Sequence, residues 1–307
     1  MDHRIVKMNG GGYCAEIDLQ RGGNCVSLRS DKYSAQILRE PGEILDNSYL
    51  YGMPILFPVN RISRGRFIFE DREYIFPINE PETQCHLHGY LHETPFLVSE
   101  QTENKLSCIY RADDDHPYLQ FPHSFDLSMV YELSENGLLH TTKVHNRSES
   151  NMPVMLGFHT TFNARFCPGK GQVLVRVPIA EEYERNMENY LPTGNKPAFD
   201  CVTSALNQGI FDPFSAPISR HYRGNGKMVI YDKEKDLSVV YEIDEKLGFR
   251  LIYNGNADGY ICLEPQTSLA NSPNSPISRV EAGFGWLAPG QMVTYNCQIH
   301  IERGDWR

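Results

Sequence analysis

A large, mostly antiparallel all-β sandwich is the fold class that the sequence predicts, on three observations. The dominant period of the apolar residues is two, as on a half-buried strand. β-Branched and aromatic residues fill the alternating runs, while Gly, Pro and Asn punctuate them. No segment carries a sustained helical stripe with caps; "IAEEYERNMENYL" (179–191) is the nearest approach. The 307 residues suffice for two ordinary domains or one large β domain. No linker-like stretch divides them, so the chain reads as one domain over residues 1–307.

Taken in order, "RFIFEDREYIF" (66–76) alternates around a tight charged turn and reads as a hairpin. "HSFDLSMVYEL", "SENG" and "LLHTTKVHN" (123–146) make a second hairpin with longer arms. The stretch 192–225 is rich in Gly, Pro and Ser and is expected to be a long excursion loop with a short turn or two. "MVIYD", "LSVVYEID" and "FRLIYN" (228–254) look like a meander, and "QMVTYNCQIHIE" (291–302) like a long closing strand. The acidic run Asp113–Asp115 lacks the spaced ligands of a calcium loop and reads as a solvated turn.

A formal charge of −10 with no Lys/Arg block repels phosphate backbones, so nucleic acid is not an expected partner. The first residues lack the apolar run of a signal peptide, and no later stretch approaches a membrane span. Eight cysteines are scattered singly, without a C-x-x-C pair, most of them in apolar runs. Reduced, buried thiols in a cytoplasmic protein are the expectation.

The densest chemistry lies in "ETQCHLHGYLHETPF" (82–96), with His86, His88 and His92 followed by Glu93. His86-x-His88 with Glu93 has the look of a cupin-type metal motif, since alternate strand residues share a face. The glycine that such a motif needs seven positions later is Glu100 here, and no suitable second half follows. No metal is therefore expected. His86 and His92 read as hydrogen-bonded structural residues, whereas Gly89 after His88 permits a sharp turn that presents the imidazole.

Three further stretches place polar groups at the ends of, or inside, apolar strands. "GMPILFPVNRISRGRF" (52–67) ends a strand near Arg61, whose fork of donors suits hydroxyls or carboxylates. "MLGFHTTFNARF" (155–166) holds His159 within an apolar run. "YICLEPQTSLANSPN" (260–274) sets Glu264 after a buried approach, where burial raises a carboxyl pKa toward the range useful to a general base.

Together Asn60-Arg61-Ile62, His86-Leu87-His88-Gly89, His159 with Phe162-Asn163, Phe211-Asp212 and Glu264-Pro265 resemble the aldose 1-epimerase (galactose mutarotase) family, in its order and over most of the chain. The resemblance implies a β-supersandwich with a sugar cleft over one sheet, and interconversion of the α and β anomers of a free hexose. It implies Glu264 as the base that takes the proton of the C1 hydroxyl and His159 as the acid at the ring oxygen. His88 would stand beside them, and Arg61 and Asp212 would bind sugar hydroxyls. No cofactor is required, only one carboxylate and one imidazole about a sugar's width apart.

The chain departs from the family at Cys85 and Tyr90, at Ala164 and around Asp212, which alters the rim more than the acid–base pair. Two alternatives stay open: a hexose-6-phosphate 1-epimerase, which needs at least two cations beyond Arg61 at the cleft mouth, and a sugar-binding protein without catalysis.

Overall fold

The computed structural model describes residues 5–42, 47–119 and 121–304. Two large antiparallel sheets dominate it. The first has eight strands, in the order Leu97–Gln101, Lys105–Ala112, Phe125–Ser134, Gly137–Asn146, Met292–Arg303, Leu237–Ile243, Met228–Asp232 and Val173–Arg176. The second runs Glu181–Tyr183, Ser219–Arg223, Phe249–Tyr253, Tyr260–Gln266, Gly157–Phe158 and Ile55–Leu56, with Thr161–Asn163 also paired to Tyr260–Gln266. A four-stranded sheet from Ile5–Gly10 to Ala35–Gln36 adjoins them. The Ile301 N–H donates to Tyr13 Oη at 3.0 Å and so ties that sheet to the chain's long last strand.

The predicted hairpins form as read. Phe69 pairs with Arg72, and the two loop residues Glu70 and Asp71 have φ of 48° and 60°. Positive φ at both positions is the mirror-image turn whose twist matches that of the flanking strands. The 123–146 hairpin pairs Phe125–Ser134 with Gly137–Asn146, and the closing strand Met292–Arg303 lies between Gly137–Asn146 and Leu237–Ile243 rather than at an edge. The eight cysteines are free, six of them buried. Among the described residues no helix is long and apolar enough to cross a membrane.

Two expectations need correction. The 228–254 stretch is not one meander: Met228–Asp232 and Leu237–Ile243 pair in the eight-stranded sheet, while Phe249–Tyr253 crosses to the other. The crossing turns at Asp244–Leu247, where the buried Arg250 donates to the Leu247 carbonyl at 3.3 Å and pins the corner. The 192–225 stretch is not only loop. It contains the helix Cys201–Gln208, N-capped by the Asp200 side chain and C-capped by Gly209 at φ 74°, and the strand Ser219–Arg223. A helix of eight residues that buries only Thr203 and Leu206 is too short to show a stripe.

The two large sheets meet through aromatic side chains. Phe158 packs edge-on against His140 at 4.9 Å, and Phe162 packs against Tyr241 at 5.4 Å. On Tyr260–Gln266, Ile261 and Leu263 face that core, and alternation turns Cys262, Glu264 and Gln266 to the opposite face. Both faces are covered, so every residue of the strand is buried. The arrangement leaves polar side chains on the outer face of a fully buried strand, which is where the cleft forms.

The turn after Cys85–Leu87 brings the cleft's other wall into place. His88 and Gly89 take φ of 63° and 64°, and the His88 N–H donates to the Asn60 carbonyl at 3.0 Å. A Cβ on Gly89 would stand 1.8 Å from the Phe57 carbonyl oxygen. Gly89→Ala is therefore expected to cost at least ~2 kcal/mol, read as a lower urea midpoint at unchanged slope. An unchanged midpoint would show that the turn yields without cost.

Candidate active site

A cleft of about 850 Å³ lies over the seven-stranded sheet, and Arg61, His88, His159 and Glu264 line it together. Glu264 is fully buried on its floor, and His159 is buried beside it on the neighbouring turn. His159 Nε2 stands 3.2 Å from Glu264 Oε1. Burial pushes the Glu264 carboxyl up to about 8, against the lowering pull of Arg185 and a hydrogen bond from Gln266. Burial likewise holds the His159 imidazole down at about 3. At neutral pH the pair is thus an undissociated carboxyl beside a neutral imidazole, with one proton between them.

A side-chain relay fixes the carboxyl. Asn60 Nδ2 donates to Gln266 Oε1 at 3.4 Å, and Gln266 Nε2 donates to Glu264 Oε2 at 3.2 Å. Oε1 is equally buried, has no aligned hydrogen-bond donor and stands beside His159 Nε2, so one oxygen is held by Gln266 and the other is left to the imidazole. Gln266 follows Glu264 by two positions on one strand, a spacing that could have flagged it from the sequence.

The rest of the site is aromatic and cationic. Tyr49 packs against His88 at 4.9 Å and against His159 at 5.3 Å. His88 meets His159 edge-on at 5.5 Å. Arg61 makes a forked pair with Glu80, both contacts at 2.6 Å, and its guanidinium lies 4.7 Å from the centre of the Tyr190 ring. Arg185 lies 5.6 Å from the same ring and donates to Ser219 Oγ at 2.8 Å. Burial pulls its pKa down to about 10.

Tyr190 and Arg185 belong to a narrow strap closed by the Asn186–Leu191 and Glu184–Thr193 backbone bonds. The strap reaches from the edge strand Glu181–Tyr183 across to Arg61 and supplies one side of the cleft lining. Arg185 and Tyr190 lie in the charged run that came nearest to a helical pattern, and nothing in its spacing pointed to a site.

Asp212 is not among the residues that line the cleft. Phe211 bridges to Val175 of the eight-stranded sheet, and the Asp212 carboxylate accepts the Phe214 N–H at 2.9 Å, closing its own turn. Asn163 is also structural, donating to the Gln36 and Leu38 carbonyls at 2.9 and 3.0 Å. His86 turns away from the cleft: Nδ1 meets the Pro77 carbonyl at 2.7 Å and the ring stacks on Phe76. The positive φ of His88 ends the strand alternation, so His86 and His88 do not share a face. The donors that do gather are His159 Nε2 or Nδ1, Cys262 Sγ and a Glu264 oxygen, all within 4.8 Å of one another.

The aldose 1-epimerase family model matches residues 4–300. A galactose mutarotase-like protein from Clostridium acetobutylicum superposes with a TM-score of 0.92 at 30% identity, over 98% of this chain and 96% of that one. A galactose mutarotase-like protein from Lactobacillus casei superposes with a TM-score of 0.76 at 17% identity, over 97% of this chain and all (100%) of that one. An uncharacterized Escherichia coli (strain K12) protein, YphB, is 23% identical over 267 residues, 81% of this chain and 83% of its own.

Glu264→Gln is expected to stabilise the fold in a pH-dependent way. Glu264 titrates near 8 when folded and near its ordinary 4.5 when unfolded, so its contribution is intact at acid pH and is lost as pH rises through that interval. The variant should match the parent near pH 5 and exceed it by a few kcal/mol above pH 8, measured by urea unfolding at the two pH values. Equal stability at both would contradict the buried, raised carboxyl.

Proposed function

The chain belongs to the aldose 1-epimerase family, and on that premise we propose that it interconverts the anomers of a neutral free hexose by acid–base ring opening. The contact of 3.2 Å between Glu264 Oε1 and His159 Nε2 carries the reading. The C1 hydroxyl oxygen and the ring oxygen are bonded to the same carbon, so a base and an acid serving both must stand close together. This is tighter than the sugar's width expected from the sequence.

The resting pair holds its one proton as a carboxyl group. Transfer of that proton to His159 gives a carboxylate beside an imidazolium, the form that reacts. Glu264 then takes the proton of the C1 hydroxyl, His159 gives its proton to the ring oxygen, and the C1–ring-oxygen bond breaks to leave an open-chain aldehyde. After rotation about the bond between C1 and C2, the ring hydroxyl attacks the other face of C1. It returns its proton to His159 as Glu264 protonates the new C1 oxygen. Protons balance over the cycle, and the pair returns to its starting state.

Arg185 supports the ionised Glu264 electrostatically. Gln266 keeps Oε2 occupied, so that Oε1 is the oxygen that meets the sugar. Tyr190 lines the same cleft and adds an aromatic surface on which the apolar part of a hexose can pack. His88 lies against His159 and Tyr49, and that proximity supports a role in hydrogen-bonding the ring-oxygen side of the sugar.

The cleft chemistry favours an uncharged sugar over a hexose phosphate. Two cations beyond Arg61 do line the cleft, Arg185 and Arg220, but Arg220 is paired to Asp200 at 2.7 Å and to Glu182 at 3.2 Å, as Arg61 is to Glu80. Glu182, Glu184 and Asp200 line the same space and would repel a phosphate. Arg64 and Arg66 line a different depression.

Polarimetry of freshly dissolved α-D-glucose and α-D-galactose tests the proposal. The parent should speed mutarotation, Glu264→Gln and His159→Asn should each lose about 100-fold or more, and glucose 6-phosphate should react less efficiently than glucose. No acceleration of any of the three would leave a sugar-binding role; preference for the phosphate would overturn the neutral substrate.

A further inference from the structure

We infer that Cys262, His159 and Glu264 form a binding site for a thiophilic divalent cation of the zinc class, His159 and Glu264 lining the cleft and Cys262 buried beside them. The geometry is local and already assembled. Cys262 and Glu264 are two positions apart on one strand and project to the same face, and Thr161, two residues beyond His159, pairs with Cys262. Their donor atoms lie within 4.8 Å of one another. Tetrahedral zinc bonds of about 2.0–2.3 Å set neighbouring donors roughly 3.5 Å apart, so small side-chain rotations close the site.

The donors are chemically available. Glu264 Oε1 is buried without an aligned donor. The Thr161 hydroxyl donates to the His159 carbonyl at 3.2 Å, so the Cys262 thiol 3.4 Å away is the donor in its contact with Thr161. A cation replaces that S–H and the Glu264 carboxyl proton, and both protons leave to solvent. One thiolate and one carboxylate then neutralise the dication, which makes the complex tolerable in a buried place. Gln266 stays on Oε2 and orients the ligating carboxylate from outside.

Occupation removes both the base and the acid of the proposed reaction, so the cation acts as an inhibitor. That consequence rests on the proposed function, whereas binding does not. Cadmium serves as the probe, because a cadmium–thiolate bond absorbs in the ultraviolet. The protein used carries Cys14→Ser and Cys201→Ser, which removes its half-exposed and exposed thiols.

One equivalent of cadmium should produce the thiolate band, raise the melting temperature and stop mutarotation. Adding Cys262→Ser should abolish the band and the thermal shift, and Glu264→Gln should weaken binding at least 10-fold. The metal-free melts of the two variants report whether each is folded. Absence of the band, or a band unchanged in either folded variant, overturns the site. A band and thermal shift lost as expected, in a protein without mutarotation, would uphold the site and reject the proposed reaction instead.

Discussion

The cleft depends on one constraint: the carboxyl group of Glu264 is buried at the cleft, on a strand whose other face packs on the core. An ionised carboxylate in such a place is costly, and the protein meets the cost by keeping the group protonated at neutral pH. The neutral His159 beside it follows from the same burial. The two pKa values are moved past each other, about 8 for the carboxyl against about 3 for the imidazole, so the shared proton rests on Glu264 and the carboxylate–imidazolium form lies uphill of the resting pair.

The sheet architecture holds that pair side by side. Tyr260–Gln266 sits within the seven-stranded sheet, with Phe249–Tyr253 on one side and strands on either side of His159 on the other. The His159 N–H donates to the Pro54 carbonyl at 3.0 Å, which fixes the backbone that carries the imidazole between the strands Gly157–Phe158 and Thr161–Asn163. Asn60, in a left-handed conformation, braces Gln266 through its side chain and the His88 turn through its carbonyl. One residue thereby links the orientation of the Glu264 carboxyl to the placement of His88.

Much of this was legible in the chain, and the limits are physical. Period-two patterning identified the hairpins because their strands bury one face, and the run Tyr260-Ile261-Cys262-Leu263 before Glu264 announced a buried approach. His88 was separable from His86 because glycine follows it, although the left-handed turn that divides their faces was not visible. Arg61, His88, His159 and Glu264 do meet in one cleft; Asp212 does not, because Phe211 commits its segment to the other sheet. Arg185 and Tyr190 left no trace: their positions come from the strap's path over the sheet, a long-range property that local spacing does not encode. The helix Cys201–Gln208 was missed for the opposite reason, being a local element with too few buried residues to leave a pattern.

The central claim is the protonation of Glu264, and infrared difference spectroscopy reads it directly. Subtracting the Glu264→Gln spectrum from that of the parent isolates the vibration of this one carboxyl. A carboxylic-acid carbonyl band present at pH 6 and replaced by carboxylate bands as pH passes about 8 is the predicted result. A carboxylate signature throughout that range would mean that the group is ionised in the resting protein, and the account of the buried pair would be wrong.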